Sequence, residues 1–272
     1  MIVLMLACAQ ADLEFSEDLE VLTYNVHGLP SAITGDDTTG RFEQIAPLLK
    51  DYNLMGIQED FMLENHEILT DSLDHVTQAW FSEMLEDRYY GSGLSTFSHF
   101  KTLEIYTQHY STCNGTLDYG SDCLASKGFL RVRLELAPGL EIDVYNSHLE
   151  AGNDAQDTSV RTEQVRELLD EIELSSADRS VIFMGDTNLK FDIPEEMELL
   201  NQIKEEGMLT DCCEQMQCSQ PQYIDRIFFR GSSDLEITAK EWLERSEFFD
   251  EEGEPLSDHP AVSCLLGLKA NF

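Results

Sequence analysis

The sequence predicts an α/β fold of two packed β-sheets with helices on the outside. Short runs rich in Val, Ile, Leu, Phe and Tyr alternate with segments of helical apolar period, which calls for sheets covered by helices. A chain of 272 residues can bury about three quarters of its unfolded surface in one such domain. Its 42% apolar content, with 14 Phe and 9 Tyr, is that of a folding chain and not of an acidic disordered tail. No repeat, linker or low-complexity stretch interrupts it, so residues 12–272 read as a single domain.

The strands are expected at Glu20–Asn25, Leu54–Gln58, Leu94–Phe97, Leu103–Gln108, Gly128–Leu136, Glu141–Ser147, Val181–Gly185, Tyr223–Phe229, Leu235–Trp242 and Ala261–Leu266. Helices fall between them. Arg41–Asp51 puts Phe42, Ile45, Leu48 and Leu49 on one face, and Val160–Glu173 does the same with Val165, Leu168, Leu169 and Ile172.

Charge narrows the functional classes. With 53 Asp and Glu against 17 Lys and Arg, the formal charge is −36. Such a surface repels a phosphate backbone, so non-specific nucleic-acid binding is disfavoured, and it attracts divalent cations. Lys127, Arg131 and Arg133 form the one basic patch visible in the sequence.

The N-terminus, residues 1–11, reads as a remnant of an export or lipoprotein signal. Leu6-Ala7-Cys8 resembles a bacterial lipoprotein box, and Ala9-Gln10-Ala11 fits a small-x-small cleavage pattern. Both readings make the protein exported, either secreted or surface-anchored. The run is too short to span a bilayer. Without Cys8 six cysteines remain, an even number that suits an oxidising compartment. Cys113 and Cys123 flank a polar loop and are expected to pair. Cys212, Cys213, Cys218 and Cys264 leave two further bridges or a zinc cluster open, the latter without a nearby histidine.

Polar residues cluster just past the apolar runs. Asn25 follows Thr23-Tyr24, Glu59 follows Ile57-Gln58, and His148 follows Tyr145-Asn146-Ser147. Asp186 and Asn188 stand in Gly185-Asp-Thr-Asn188, Asp225 in Tyr223-Ile-Asp-Arg-Ile, and Asp258 and His259 in Ser257-Asp-His-Pro260. Taken singly, each suits a cap or turn, and His148 suits a satisfied core histidine. Together they converge on one rim of the sheets.

These fragments in this order resemble the endonuclease/exonuclease/phosphatase superfamily, metal-dependent phosphodiesterases that include deoxyribonuclease I and the neutral sphingomyelinases. The resemblance spans Tyr24 to Val262 and implies a four-layer α/β sandwich. It also implies roles. Glu59 with Asn25 would hold Mg²⁺, or Mn²⁺ or another divalent cation, which polarises a phosphoryl oxygen. Asp258 would be a carboxylate near that metal or for a second one. His259 would be the general base on water, oriented by Asp225. Asp186 would position the nucleophile or assist the leaving group, and Asn188 and His148 would hydrogen-bond the phosphoryl group.

The segment Asp122-Cys-Leu-Ala-Ser-Lys-Gly-Phe129 resembles the sphingomyelinase branch most. Lys127 there would meet a lipid phosphate, or would be a solvated lysine at a strand start. The expected activity is hydrolysis of a phospholipid head-group phosphodiester, sphingomyelin first, by a monomer with peripheral membrane contact. A secreted Mg²⁺-dependent nuclease acting on DNA or RNA is the alternative. Secreted sphingomyelinases carry a membrane-dipping aromatic hairpin before the final Asp-His. At that place this chain has Trp242 and Phe248-Phe249 among seven acidic residues from Glu241 to Glu254, which favours core packing of Trp242 over insertion into anionic bilayers.

Overall fold

The computed structural model describes residues 15–115, 122–218 and 223–271, so the proposed signal remnant, including Cys8, lies outside the described residues. The elements run β1 (Ser16–Asn25), α1 (Ser31–Thr34), α2 (Thr38–Leu48), β2 (Leu54–Gln58), α3 (Leu63–Ser72), β3 (Thr77–Phe81), β4 (Leu94–Ser98) and β5 (Lys101–His109). They continue with β6 (Gly128–Ala137), β7 (Leu140–His148), α4 (Ala155–Ser176), β8 (Ser180–Asp186), α5 (Pro194–Glu206), β9 (Thr210–Asp211), α6 (Cys212–Gln215), β10 (Asp225–Arg230), β11 (Leu235–Glu244) and β12 (Val262–Ala270). Two six-stranded sheets result, in the orders β11-β12-β1-β2-β4-β3 and β5-β6-β7-β8-β10-β9.

The expected strands all form, Leu54–Gln58 with the expected bounds and the others with shifted ends. The strand read from Tyr223 starts instead at Asp225, where pairing with Asp186 of β8 begins. The helix read from Arg41 starts at Thr38, because Asp37 caps it by accepting from Gly40 N at 3.1 Å. Its last expected residues, Leu49–Asp51, form a 3₁₀ turn two residues past Pro47, which has no N–H to donate. β3 was not anticipated: Thr77, Ala79 and Phe81 are buried and alternate with Gln78 and Trp80, too few residues for a clear period.

Period-2 alternation builds the layers. On β1, Leu19 and Val21 face the core between the sheets, while Leu22 and Tyr24 face α2 and α3. On β8, Ile182 and Met184 enter that central core, while Val181 and Phe183 meet Val165, Leu168 and Ile172 of α4 and Leu200 and Ile203 of α5. The order is helices, sheet, sheet, helices: a four-layer α/β sandwich.

Towards one rim the central core turns polar. Gln58 Nε2 donates to Asn146 Oδ1 at 2.8 Å, and Asn146 Nδ2 donates to the carbonyls of Ile57 (3.0 Å) and Ser95 (2.8 Å). These bonds tie one sheet to the other immediately beneath the candidate site. Cys212–Cys264 is a second tie, from α6 to β12, and its 52-residue separation corresponds to about 4 kcal/mol of unfolded-state entropy. Cys113 pairs with Cys123 as expected, and Cys213 with Cys218, so the zinc reading of these cysteines is overturned. Trp242 packs partly against the central core with Tyr223 5.0 Å from it, Phe248 is buried, and Phe249 is exposed. Between β11 and β12 the described chain makes a compact acidic turn, not an extended aromatic hairpin: Asp250 Oδ1 accepts from the backbone N–H of Glu252 and Glu254.

Candidate active site

The rim collects strand ends from both sheets. One sheet supplies Asn25 at the end of β1, Glu59 just past β2, and Asp258 and His259 just before β12. The other supplies His148 at the end of β7, Asp186 at the end of β8 and Asp225 at the start of the antiparallel β10. Register makes this a row, because Asp186 lies opposite both His148 and Asp225. Gly185, with φ +153°, is required there: a Cβ would stand 1.9 Å from the Ser147 carbonyl oxygen. On the other sheet, a Cβ on Gly28 would meet the Glu59 carbonyl oxygen at 2.1 Å. Glu59 itself has φ +63°, a conformation that costs a non-glycine residue roughly 1–3 kcal/mol and is held by the surroundings.

Asn25 joins the two halves. Its Nδ2 donates at 3.0 Å to both Glu59 Oε1 and Asp186 Oδ2, while its Oδ1 accepts from His27 N at 3.0 Å. Asp186 Oδ1 in turn accepts from Asn188 N at 3.0 Å, and Asn188 Nδ2 donates to Leu149 O at 3.1 Å. Asn188 adopts φ +51°, which asparagine tolerates. Asp258 is exposed on the opposite lip, with Oδ1 3.2 Å from His27 Nδ1. Lys127, buried in the wall, donates to Leu149 O at 2.8 Å and lies 2.7 Å from Asp122 Oδ1.

His259 Nδ1 is 2.8 Å from Asp225 Oδ2, and its Nε2 is 3.7 Å from Asp186 Oδ2. Burial alone would lower the His259 pKa, but the Asp225 carboxylate, with Asp186 and Asp258, raises it to about 10. His148 Nε2 lies 3.3 Å from Asp186 Oδ2, yet its pKa falls well below the ordinary imidazole value, through burial and the positive charges of Lys127 and His259. Burial also raises Glu59, and burial together with Asp225 raises Asp186 to about 6.

The donor set fits a hard divalent cation. Glu59, Asp186, Asp225 and Asp258 crowd one rim, burial penalises the charge on Glu59 and Asp186, and buried Asp225 Oδ1 has no hydrogen-bond partner. Beside Glu59 and Asn25, ligand-capable atoms of Asp186, Asp225 and His259 form a second close cluster, within 4.8 Å of one another, which the His259–Asp225 pair already occupies. Carboxylate oxygen is the chemistry that suits Mg²⁺ or Mn²⁺. Beside Glu59 and His148 opens a cavity of about 160 Å³, lined chiefly by Leu29, Ile33, Phe61, Tyr90, Leu124 and Ala125, with Asp122 and Lys127.

Sequence reasoning missed three supports. Arg41 donates to the carbonyls of Val26 (2.9 Å), His27 (2.8 Å) and Leu256 (2.9 Å), tying the loop after β1 to the loop before His259. Ser257 Oγ donates to Asn25 O at 2.6 Å and accepts from His259 N at 3.2 Å. His27 bridges towards Asp258 and Glu59, and its one signal was proximity to Asn25. The basic patch expected from Lys127, Arg131 and Arg133 is not a free surface: Arg131 pairs with Glu104 and Glu171, and Arg133 with Asp143 and Glu104.

A two-sheet sandwich whose joined rim carries this row of carboxylates, amides and histidines defines a class, and residues 22–220 match the Endonuclease/Exonuclease/phosphatase family 2; the chain belongs to that family. Among curated proteins it is similar to a sphingomyelinase of Mycobacterium bovis, 29% identical over 267 residues that cover 91% of this chain and 52% of that protein. The chain thus spans about half the length of the curated relatives it matches. Among solved structures it resembles a beta toxin variant from Staphylococcus aureus with bound magnesium ions, at TM-score 0.70 and 15% identity over 92% of this chain and 99% of the other. It also resembles D. rerio TDP2 complexed with single strand DNA product, at TM-score 0.68 and 20% identity over 92% and 98% of the two chains.

Proposed function

We propose that this protein is a divalent-metal-dependent phosphodiesterase that hydrolyses the head-group phosphodiester of a phospholipid, sphingomyelin first, releasing ceramide and phosphocholine. The observation that carries the reaction type is the His259–Asp225 pair set against Asp186 and Asn25 on a rim shared by both sheets. In its neutral form, which a divalent cation bound nearby would favour over the imidazolium of the metal-free chain, His259 takes a proton from the attacking water at Nε2, and Asp225, a positioning residue, holds the ring and balances the imidazolium that forms. Asp186 orients that water or, protonated, gives its proton to the ceramide oxygen as the phosphorus–oxygen bond breaks. His148, kept neutral, and Asn188 donate to the phosphoryl oxygens as charge grows on them. Glu59, Asn25 and Asp258 would hold a Mg²⁺ or similar ion, which would supply Lewis-acid polarisation of the phosphoryl oxygen.

The lipid reading is supported by the sphingomyelinase relatives and by the cavity beside the reacting groups. Its Phe61 and Tyr90 rings, with centroids 5.6 Å apart, suit a quaternary ammonium head group. Lys127 suits the lipid phosphate. Exposed Ile33 at the cavity suits peripheral contact with a zwitterionic bilayer by a monomeric, exported enzyme; the three disulfides suit an oxidising compartment. Among the described residues Lys127, Arg131 and Arg133 are paired with carboxylates, which counts against a cationic track for nucleic acid.

The test is parallel hydrolysis of sphingomyelin vesicles and single-stranded DNA with Mg²⁺ and with a chelator. The expected result is sphingomyelin cleavage abolished by chelation and restored by Mg²⁺. DNA cleavage without lipid cleavage would overturn the substrate, and chelator-resistant turnover would overturn the metal requirement.

A further inference from the structure

At the other end of β2 from Glu59, two segments bring two histidines and a carboxylate together. Asp74 and His75 lie between α3 and β3, and His99 lies in the turn after β4. Ligand-capable atoms of the three lie within 4.8 Å of one another. The imidazoles are stacked, with centroids 3.9 Å apart and planes 9° apart. Asp74 and His99 are exposed, whereas His75 is only 3% exposed.

The tautomer of His75 follows from its partner. Its Nε2 lies 2.7 Å from the Tyr52 carbonyl oxygen, which can only accept, so Nε2 carries the proton and donates it. Nδ1 therefore holds a lone pair, and this buried atom has no hydrogen-bond partner. Leaving a buried acceptor unpaired costs roughly 1–3 kcal/mol, which ring stacking alone does not require. An imidazole whose far N–H is fixed by a backbone carbonyl is the arrangement that metal-ligating histidines adopt. The adjacent carbonyl, Asn53 O, accepts from His99 N at 3.1 Å, so both histidines hang from neighbouring peptide units.

We propose that Asp74, His75 Nδ1 and His99 form a second metal site, separate from the hydrolytic rim, for a borderline transition-metal cation, Zn²⁺ first. Two imidazoles and one carboxylate select such an ion over Mg²⁺ or Ca²⁺, which prefer all-oxygen sets. The exposed His99 ring turns out of the stack so that its nitrogen converges with Nδ1 of His75. The ion then clips the α3–β3 loop to the turn after β4 and stabilises the native state by mass action.

Equilibrium dialysis of Zn²⁺ against the full chain in excess Mg²⁺ tests this, using wild type, Glu59→Gln and His99→Ala. Wild type and Glu59→Gln should each hold a Zn²⁺ that His99→Ala loses or binds at least about tenfold more weakly. His99→Ala, altered at an exposed ring, should hydrolyse substrate with Mg²⁺ at the wild-type rate, and Zn²⁺ should raise the Tm of wild type more than that of the variant. Equal Zn²⁺ stoichiometry and affinity in wild type and His99→Ala would overturn the site, as would Zn²⁺ binding that disappears only in Glu59→Gln or no binding at all.

Discussion

His259 and His148 approach the same carboxylate oxygen of Asp186, at 3.7 and 3.3 Å, and are driven to opposite charge states. On the His259 side Asp225 makes an ion pair that outweighs burial. On the His148 side burial is joined by Lys127, which Asp122 and Glu150 keep protonated against its own burial. Distance to a shared anion does not assign a role to a histidine; the second neighbour does. One rim of the metal-free chain therefore holds an imidazolium and a neutral imidazole, a separation that a single rim with uniform surroundings would not give.

The largest break in this comparison comes from removing the proton acceptor. His259→Ala should lower turnover by about 10⁴-fold per folded molecule with little change in substrate affinity; a loss within about tenfold would sink its role as base. Asp225→Asn should cost less, about 10³-fold, because a base remains but its orientation suffers. It should also move the acidic limb of the rate profile to lower pH, since the carboxylate that favours imidazolium is gone. Stability gives the same sign. In the metal-free chain the His259 pKa of about 10 exceeds the unfolded value of about 6.5. The pair's contribution is fully present below about pH 6.5 and is lost as pH rises through about 10. Melts of chelated protein at about pH 6 and pH 10 should show a fall in wild type that shrinks in Asp225→Asn, and equal falls would refute the ion pair.

His148→Asn sharpens the other side. With His148 already neutral, its loss should lower turnover by about 10²-fold and leave the shape of the pH profile unchanged. A displaced profile would show that His148 titrates during the reaction. The smallest effect on turnover is expected from Cys212→Ser with Cys264→Ser. That variant should lose about 4 kcal/mol of stability in denaturant titration while each folded molecule keeps its rate, because the bridge ties the sheets away from the reacting groups. A matching loss in rate at low temperature would show that the two half-sites depend on this tie for alignment.

Much of the site was legible because four of its residues end, or directly follow, an apolar run. Asn25, His148 and Asp186 close β1, β7 and β8, and Glu59 comes one residue after β2; a polar residue ending a buried strand must sit at a rim. Arg41 was illegible, since its acceptors are backbone carbonyls, one of them 215 residues away, and carbonyls leave no mark in side-chain pattern. Lys127 was visible as a residue, but its pairing with Asp122 was not. The cysteines show the same limit: parity suggested bridges, while the choice of Cys264 as the partner of Cys212 required α6 and β12 to meet.

By itself the sequence determined the two-sheet α/β architecture, its strands and the polar residues at their ends, because alternation and run length are local properties of the chain. Only the tertiary structure decided which of those residues face one another and in what charge state. That decision rests on the register that sets Asp225 and His148 on either side of Asp186, and on burial, which makes each charge depend on neighbours more than a hundred residues away along the chain in some pairs.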